Sequence, residues 1–377
     1  MKKSIIVLTG DISEVNSGPN VSLNNILKIL SEEKYLYILG FSHFKHNGNW
    51  FSKNCKFVAF KNFLPSHYYF NPFLLIYFLK NIRKSEFVII NGVWYPYLIF
   101  INIFIKIFKK KYSIIPHGQL NQLAFQKNHL LKKLMYRIFI KSFIKNSKFL
   151  HLLSPLEKIM ITQNKYIKDL KFNHVIVPNT LGIDSNVNTY NSFSYPKPYA
   201  LFIGRIDPIK NLEFLIKAWS DFLILQSNNL DKEVELLIAG NGSDKYKINL
   251  EELIRKLNIK NIKFIGFVEG IKKIKLISNA SCTVMCSHSE ALPTSIIESF
   301  FYGTPIISTF DIGFKSIEIN KTVFLSSQDT NQFAEKLFKV FKLKKSELSE
   351  LRNVSFSVYK KIFSYYAVAK ILKDAYK

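Results

Sequence analysis

Cysteine is nearly missing from this chain, with Cys55, Cys282 and Cys286 the only three in 377 residues. Three thiols cannot build a disulfide framework, and no C-x-x-C pair is matched by a second one. A disulfide-stapled secreted scaffold and a structural zinc site are therefore excluded, and a reducing compartment is expected. Acidic residues are scarce too: 27 Asp and Glu face 53 Lys and Arg, a net charge of +26, which calls for an anionic partner. Long apolar runs are also lacking. Met1-Lys2-Lys3 before Ser4–Gly10 imitates a signal peptide, but the apolar run ends at Gly10-Asp11 and reads better as a buried first strand. The greasiest segment, Val93–Ile105, spans 13 residues and carries Pro96 and Asn102, where a spanning helix needs about 20. It reads as a core helix or a surface-docking one, so a soluble or peripheral protein is expected.

Several catalytic signatures are absent as well. No G-x-x-x-x-G-K-[ST] loop, H-E-x-x-H, G-x-S-x-G elbow or D-x-D pair occurs, which disfavours a kinase, metalloprotease, α/β-hydrolase or metal-dependent transferase.

What is present is globular: 48% apolar and 21% charged residues over a length that suits about two domains. Short runs rich in Ile, Val and Phe alternate with longer amphipathic stretches, as in β-α-β units. Strands are expected at Ser4–Thr9, Leu36–Leu39, Phe57–Phe60, Phe87–Asn91, Tyr112–Pro116, Phe149–Leu153 and Val175–Val177. After a proline-punctuated stretch, Ser192–Pro198, they resume at Tyr199–Gly204, Val234–Gly240, Lys263–Gly266, Cys282–Cys286, Pro305–Ser308 and Val323–Leu325. The pattern predicts two doubly wound α/β domains, 1–194 and 195–354. An amphipathic helix over 355–377 is expected to pack back on the first.

The second half holds the densest motifs. Gly204-Arg205-Ile206-Asp207-Pro208-Ile209-Lys210 ends a strand and opens a helix, where backbone N–H groups favour an anion and two cations could neutralise a diphosphate. Two surface charges would look the same. Further on, Glu290 and Glu298 are separated by seven residues, with Pro293-Thr294-Ser295 opening a helix between them. The amides of Thr294, Ser295 and Ile296 could face a phosphate. Ser295-x-x-Glu298 is also a capping box, which requires no ligand.

Taken in this order, these residues resemble the retaining glycosyltransferases of family 4, with their E-x7-E signature. The resemblance spans about residues 4 to 330 and implies two facing Rossmann-like domains, the GT-B architecture, with a cleft between them. It implies that Arg205 and Lys210, with Gly204, hold the donor diphosphate, that Glu290 contacts the donor sugar and that Glu298 contacts the nucleotide ribose. Leu237-Ile238-Ala239-Gly240-Asn241-Gly242 is similar to the family's L-I-A-G-x-G, and Phe264–Val268 to the strand before its base-binding loop. That assigns Gly240 and Val268 to the donor. Ile114–Leu120 is similar to P-H-G-x-L, which places His117 beside the transferring sugar, although a lone strand-end histidine is commonly structural. Ser17-Gly18-Pro19-Asn20 stands where the family has paired glycines, leaving Gly18. Asn91-Gly92-Val93-Trp94 stands where it has H-G-x-W, with Asn for His, and receives no chemistry. Val177–Asp184 resembles P-N-G-x-D with an insertion.

The implied activity is transfer of a sugar from a nucleotide diphosphate, taken as a UDP-sugar, to a hydroxyl of a glycan or lipid-linked acceptor. It proceeds with retention, without metal or other cofactor, in surface polysaccharide synthesis. Charge adds a membrane to this picture. Residues 1–190 hold 26 basic and 8 acidic side chains, and no acid lies between Glu86 and Glu157. Lys127, Lys132, Lys133, Arg137, Lys141 and Lys145 alternate with Leu131, Leu134, Ile138 and Phe139 at helical spacing. The stretch reads either as a solvated helix face or as a surface lying on anionic lipid at the inner face of the cell membrane. No helix-turn-helix, zinc-finger or RNP-type pattern supports nucleic acid as the partner. A sugar-nucleotide epimerase of the same fold and a basic nucleic-acid binder are the alternatives. The first does not resemble the paired motifs, and the second leaves them unexplained.

Overall fold

A computed structural model describes residues 3–11, 18–42, 54–63, 69–126, 129–167, 170–181, 195–227 and 233–377. Ser17, Lys127, residues 182–184 of the Val177–Asp184 segment and residues 192–194 of the Ser192–Pro198 segment, all singled out in the sequence, lie outside the described residues. The chain divides into two units, Met1–Gly182 with Tyr365–Lys377, and Ile183–Ser364.

The first unit is built on a seven-stranded sheet. Its strands are β1 (Ser4–Asp11), β2 (Tyr35–Phe41), β3 (Cys55–Phe60), β4 (Ser85–Asn91), β5 (Lys111–Ile115), β6 (Phe149–Leu152) and β7 (His174–Ile176). Every pairing is parallel and the order is β3-β2-β1-β4-β5-β6-β7. Ile5, Ile6, Val7 and Leu8 are wholly buried, which explains why β1 reads as a continuous apolar run: a parallel sheet is covered on both faces. Each such side chain contributes about 1.5–3 kcal/mol. The second unit has six strands, β8 (Tyr199–Ile203), β9 (Glu235–Ala239), β10 (Ile262–Gly266), β11 (Cys282–Met285), β12 (Ile306–Ser308) and β13 (Val323–Leu325). Their order is β10-β9-β8-β11-β12-β13, again parallel. Two apolar layers enclose it, one around Trp219, Phe222 and Phe333, the other around Tyr199, Leu237 and Ile277. Both units are thus doubly wound α/β domains, as expected, and each has a point where strand order reverses: between β1 and β4, and between β8 and β11. In open α/β sheets, ligands bind outside the carboxyl ends of the strands at that point.

The carboxyl end of the chain differs from the single helix expected over 355–377. A helix over Lys345–Val358 runs into a π turn at Tyr359–Phe363, then breaks where Ser364 becomes extended (φ −63°, ψ 156°). A separate helix, Tyr365–Ala375, belongs to the first unit. There Lys373 pairs with Glu32 at 2.7 Å and Glu33 at 3.2 Å. Tyr376 is buried, its hydroxyl 2.9 Å from Ser113 Oγ and 3.1 Å from His151 Nδ1. Its ring lies edge-on to Phe87 and Phe149, both at 5.3 Å.

Candidate active site

In the second unit, the reversal point gathers the loops after β8, β9, β10 and β11. The Gly204 N–H donates to the Ala239 carbonyl (3.0 Å), the Ile206 N–H to Asn241 (2.9 Å) and the Gly240 N–H to Gly266 (2.8 Å). These crossings leave no room for side chains. A Cβ on Gly240, whose φ is +145°, would lie 1.8 Å from the Gly204 carbonyl oxygen, and one on Gly242 equally close to that of Ile206. The G-x-G of the sequence is therefore a packing requirement between two loops, and it shapes the loop that carries Arg205 and Lys210.

That loop is locally well specified. Asp207 accepts from the Ile209 N–H (3.0 Å) to start a short 3₁₀ turn, and Asn211 ends it at φ 55°. Arg205 is exposed and Lys210 half-buried. The His288 N–H donates to the Ile209 carbonyl at 2.8 Å, stitching this loop to the one after β11. Across the stitch the Lys210 ammonium meets Glu290 Oε1, which also accepts from Ser287 Oγ at 2.7 Å. Lys210 and Glu290 stand 80 residues apart in sequence, yet they form one charge pair at the mouth of the sheet.

Glu298 lies on the helix Thr294–Phe301 and is not part of a capping box. Pro293 is the residue preceding the helix, with no side-chain cap, so Ser295 lies two residues too late to cap it. Instead Glu298 Oε1 accepts from Lys273 Nζ at 2.6 Å. Burial raises its pKa above the usual carboxylate range, opposed by Lys273. The Ile296 N–H is turned to the Pro293 carbonyl (3.2 Å), and the Ile296 side chain is buried. Of the three amides expected to face a phosphate, Thr294 and Ser295 remain. Val268 is buried in the layer around Tyr199 and Leu237, so only its backbone is placed to meet a ligand. Gly18 opens the helix Gly18–Leu30 with no atom within 4 Å of a would-be Cβ; no protein contact requires glycine there.

In the first unit, His117 lies beyond β5, at φ 48°, followed by Gly118 at φ 75°. The Gln119 N–H closes the turn on the Pro116 carbonyl at 2.9 Å. The segment 91–94 is clamped to it: the Val93 N–H donates to Gln119 Oε1 (2.9 Å), Trp94 Nε1 to the Gln119 carbonyl (3.0 Å) and the Gly92 N–H to Ile115 (2.9 Å). Asn91, given no role from the sequence, places Oδ1 2.6 Å from His117 Nε2. Burial, with a smaller push from His151, pulls the His117 pKa down to about 3, so the ring is neutral. The Tyr95 ring passes between Gly10 and Gly92, where either Cβ would come within 2.6 Å of its hydroxyl.

The basic stretch after this turn is not one α-helix. It runs as a helix over His129–Met135, a π turn over Tyr136–Ile140 and a short helix over Lys141–Lys145. Leu130, Leu131, Leu134, Arg137, Ile138, Lys141 and Lys145 are exposed, apolar first and basic after. Lys132 is not on that face: its ammonium lies 5.3 Å over the Trp94 ring and bonds the Ala124 carbonyl. Lys133 is half-buried. The helix Leu98–Ile107 takes both parts suggested by its sequence, with Leu98, Ile101 and Ile105 buried and Ile99, Phe100, Ile103 and Ile107 exposed. Among the described residues no helix is long and apolar enough to cross a membrane.

Known proteins are similar to this chain to different extents. The fold matches Anabaena HepE in complex with UDP and glucose, with a TM-score of 0.71 at 14% identity over 99% of each chain. It also matches sucrose-phosphate synthase from Thermosynechococcus elongatus, at 0.77 and 15% over 99% of this chain and 98% of that one. The fold is thus the GT-B one. By sequence, the chain is 36% identical over 109 residues to a Campylobacter jejuni enzyme, 29% of this chain and 28% of that one. The relative is named GalNAc-alpha-(1->4)-GalNAc-alpha-(1->3)-diNAcBac-PP-undecaprenol alpha-1,4-N-acetyl-D-galactosaminyltransferase. An uncharacterized glycosyltransferase of Methanocaldococcus jannaschii is 28% identical over 222 residues, 52% of each chain. The matched stretches span about a quarter and about half of these relatives' lengths. Residues 191–353, which include Arg205, Lys210, Glu290 and Glu298, match the family model of the glycosyl transferases group 1.

Proposed function

We propose that the protein is a retaining glycosyltransferase of the family 4 type. It moves a hexosyl or N-acetylhexosaminyl group from a UDP-sugar to a hydroxyl of a lipid-linked glycan, in surface polysaccharide assembly at the inner face of the cell membrane. The observation that carries this reading is the Lys210–Glu290 pair at the β8/β11 reversal point, stitched beside Arg205 and the start of the helix Thr294–Phe301. When the bond from the anomeric carbon to the diphosphate breaks, negative charge grows on the leaving phosphate. Arg205, Lys210 and the Thr294 and Ser295 amides are the donors for that charge. A diphosphate arriving at Lys210 gives the ammonium a second anion and releases Glu290 to accept sugar hydroxyls. The acceptor oxygen bonds the same face of the sugar, and the departing phosphate oxygen takes its proton, so no side-chain base is required.

UDP in a structural relative and an undecaprenol-linked substrate in the name of a sequence relative support the donor and acceptor classes. The outward face of Arg137, Lys141 and Lys145 beside Leu130, Leu134 and Ile138 supports an anionic membrane as partner. The test is a panel of UDP-sugars, scored by thermal stabilisation and by the anomeric configuration of the product. A ligand at 100 times its Kd adds about 2.7 kcal/mol. Arg205→Ala and Lys210→Ala should each lower turnover on the best donor by about 10²–10³ while keeping the fold. Wild-type turnover in both would overturn the diphosphate assignment, and an inverted product would overturn retention.

A further inference from the structure

Both central residues of the Pro116–Gln119 turn have positive φ. For His117, which has a Cβ, such a backbone is strained and persists only where its surroundings over-determine it. Those surroundings are specific. The Gly118 N–H donates to Glu157 Oε1 at 2.6 Å, and the Leu153 N–H donates to Glu157 Oε2 at 2.8 Å. Glu157 is 1% exposed. It is held on the first turn of the helix Pro155–Thr162, where its own N–H donates to Ser154 Oγ at 3.1 Å. Both carboxyl oxygens are thus engaged by backbone amides, one of them inside the histidine turn. The ring itself is held from the other side. Asn91 Nδ2 donates to Thr9 Oγ1 at 3.0 Å, which leaves Asn91 Oδ1 facing His117 Nε2. An amide oxygen only accepts, so Nε2 carries the hydrogen, and in a neutral imidazole Nδ1 then carries none.

We propose that Glu157 and Asn91 are positioning residues for the transfer reaction. Glu157 fixes the turn and Asn91 fixes the Nε2–H tautomer, so that His117 meets a substrate hydroxyl only as an acceptor, through Nδ1. The inference rests on the glycosyl-transfer reading for its substrate. The tautomer does not depend on that reading and can be measured without it.

The experiment combines ¹⁵N imidazole spectra with kinetics on the full chain. In the wild type at neutral pH, His117 should show a protonated Nε2 and an unprotonated Nδ1. Asn91→Ala should lose that preference and lower kcat at least tenfold, with the donor KM within about threefold, because it alters none of the residues proposed to bind the diphosphate. Asn91→Asp keeps an acceptor oxygen opposite Nε2 and should restore both the tautomer and most of the rate. Glu157→Gln places an amide NH₂ against a backbone N–H and should also lower kcat; UDP-induced stabilisation reports whether its second unit remains folded. A wild-type His117 protonated on Nδ1 would overturn the inference whether or not any donor is turned over. Wild-type kcat in Asn91→Ala would overturn it too. If no nucleotide sugar binds or reacts, the transfer reading fails, while the spectra still decide the tautomer.

Discussion

Replacing Gly240 by alanine should break the second unit's site without removing any side chain that could meet a ligand. The new Cβ would sit 1.8 Å from the Gly204 carbonyl oxygen, where a relaxed contact needs about 3.2 Å, so the two loops must part by about 1.4 Å. The hydrogen bonds at this crossing, Gly204 N–H to Ala239 at 3.0 Å and Gly240 N–H to Gly266 at 2.8 Å, cannot both survive that separation. Each contributes about 1 kcal/mol. Holding alanine at φ +145° adds about 1–3 kcal/mol, for a total of about 2–5 kcal/mol. A displacement near 1 Å in the loop bearing Arg205 and Lys210 is enough to cost about 10²-fold in rate. Urea denaturation measures the first effect and donor turnover the second. Gly18→Ala is the stability control, since a Cβ there meets nothing within 4 Å, and its denaturation midpoint should match the wild type. A Gly240→Ala protein with wild-type midpoint and turnover would refute the packing account of the glycine pair.

Other consequences can be checked separately. Glu298→Gln should weaken binding of free UDP, because it removes the carboxylate proposed to accept from the ribose hydroxyls, whereas Glu290→Gln should impair sugar transfer and leave UDP affinity nearly unchanged; equal loss of affinity in both would sink this division. His117 and His151 are buried with pKa values lowered to about 3 and about 4, so the folded state binds fewer protons than an unfolded imidazole and stability falls as pH drops below about 6.5. Glu157, raised by burial to about 7, opposes that loss down to about pH 4.5, so the fall should steepen below it; a urea midpoint independent of pH between 6.5 and 4 would contradict the burial of these rings. Replacing Arg137, Lys141 and Lys145 by Glu should release the protein from anionic vesicles at low salt, each basic residue contributing about 1 kcal/mol; equal binding by the triple variant would remove this face as the contact.

The strands were legible because a strand buried on both faces is a short Ile/Val/Phe run bounded by turn residues, whereas the equally apolar helix Leu98–Ile107 is twice as long as most of them. Each expected strand is found within two residues or so of its observed bounds, from Ser4–Asp11 to Val323–Leu325. Helix boundaries were less legible. Ser295-x-x-Glu298 obeys the capping-box spacing, yet Pro293 precedes the helix and Lys273 claims the carboxylate. The helical period of the basic stretch hid a π turn at Tyr136–Ile140, and that of the last segment hid the break at Ser364.

The site divides along the same line. Arg205, Lys210, Glu290 and Glu298 could be found because their spacing is local, each pair within one loop or one helix opening. What joins them is not local. Lys210 reaches Glu290 only because the sheet sets β8 beside β11, although β9 and β10 lie between them in sequence. The first unit has even less local signal: Asn91 ends β4, His117 and Glu157 follow the adjacent strands β5 and β6, and the three are joined by hydrogen bonds between residues far apart in sequence. A buried glutamate bonded to backbone amides leaves no periodicity to read. Its trace is Ser154-Pro155-x-Glu157, a helix-start pattern in the middle of a basic region, where an acid that ends a long stretch without any other has to be explained by burial and partners rather than by charge.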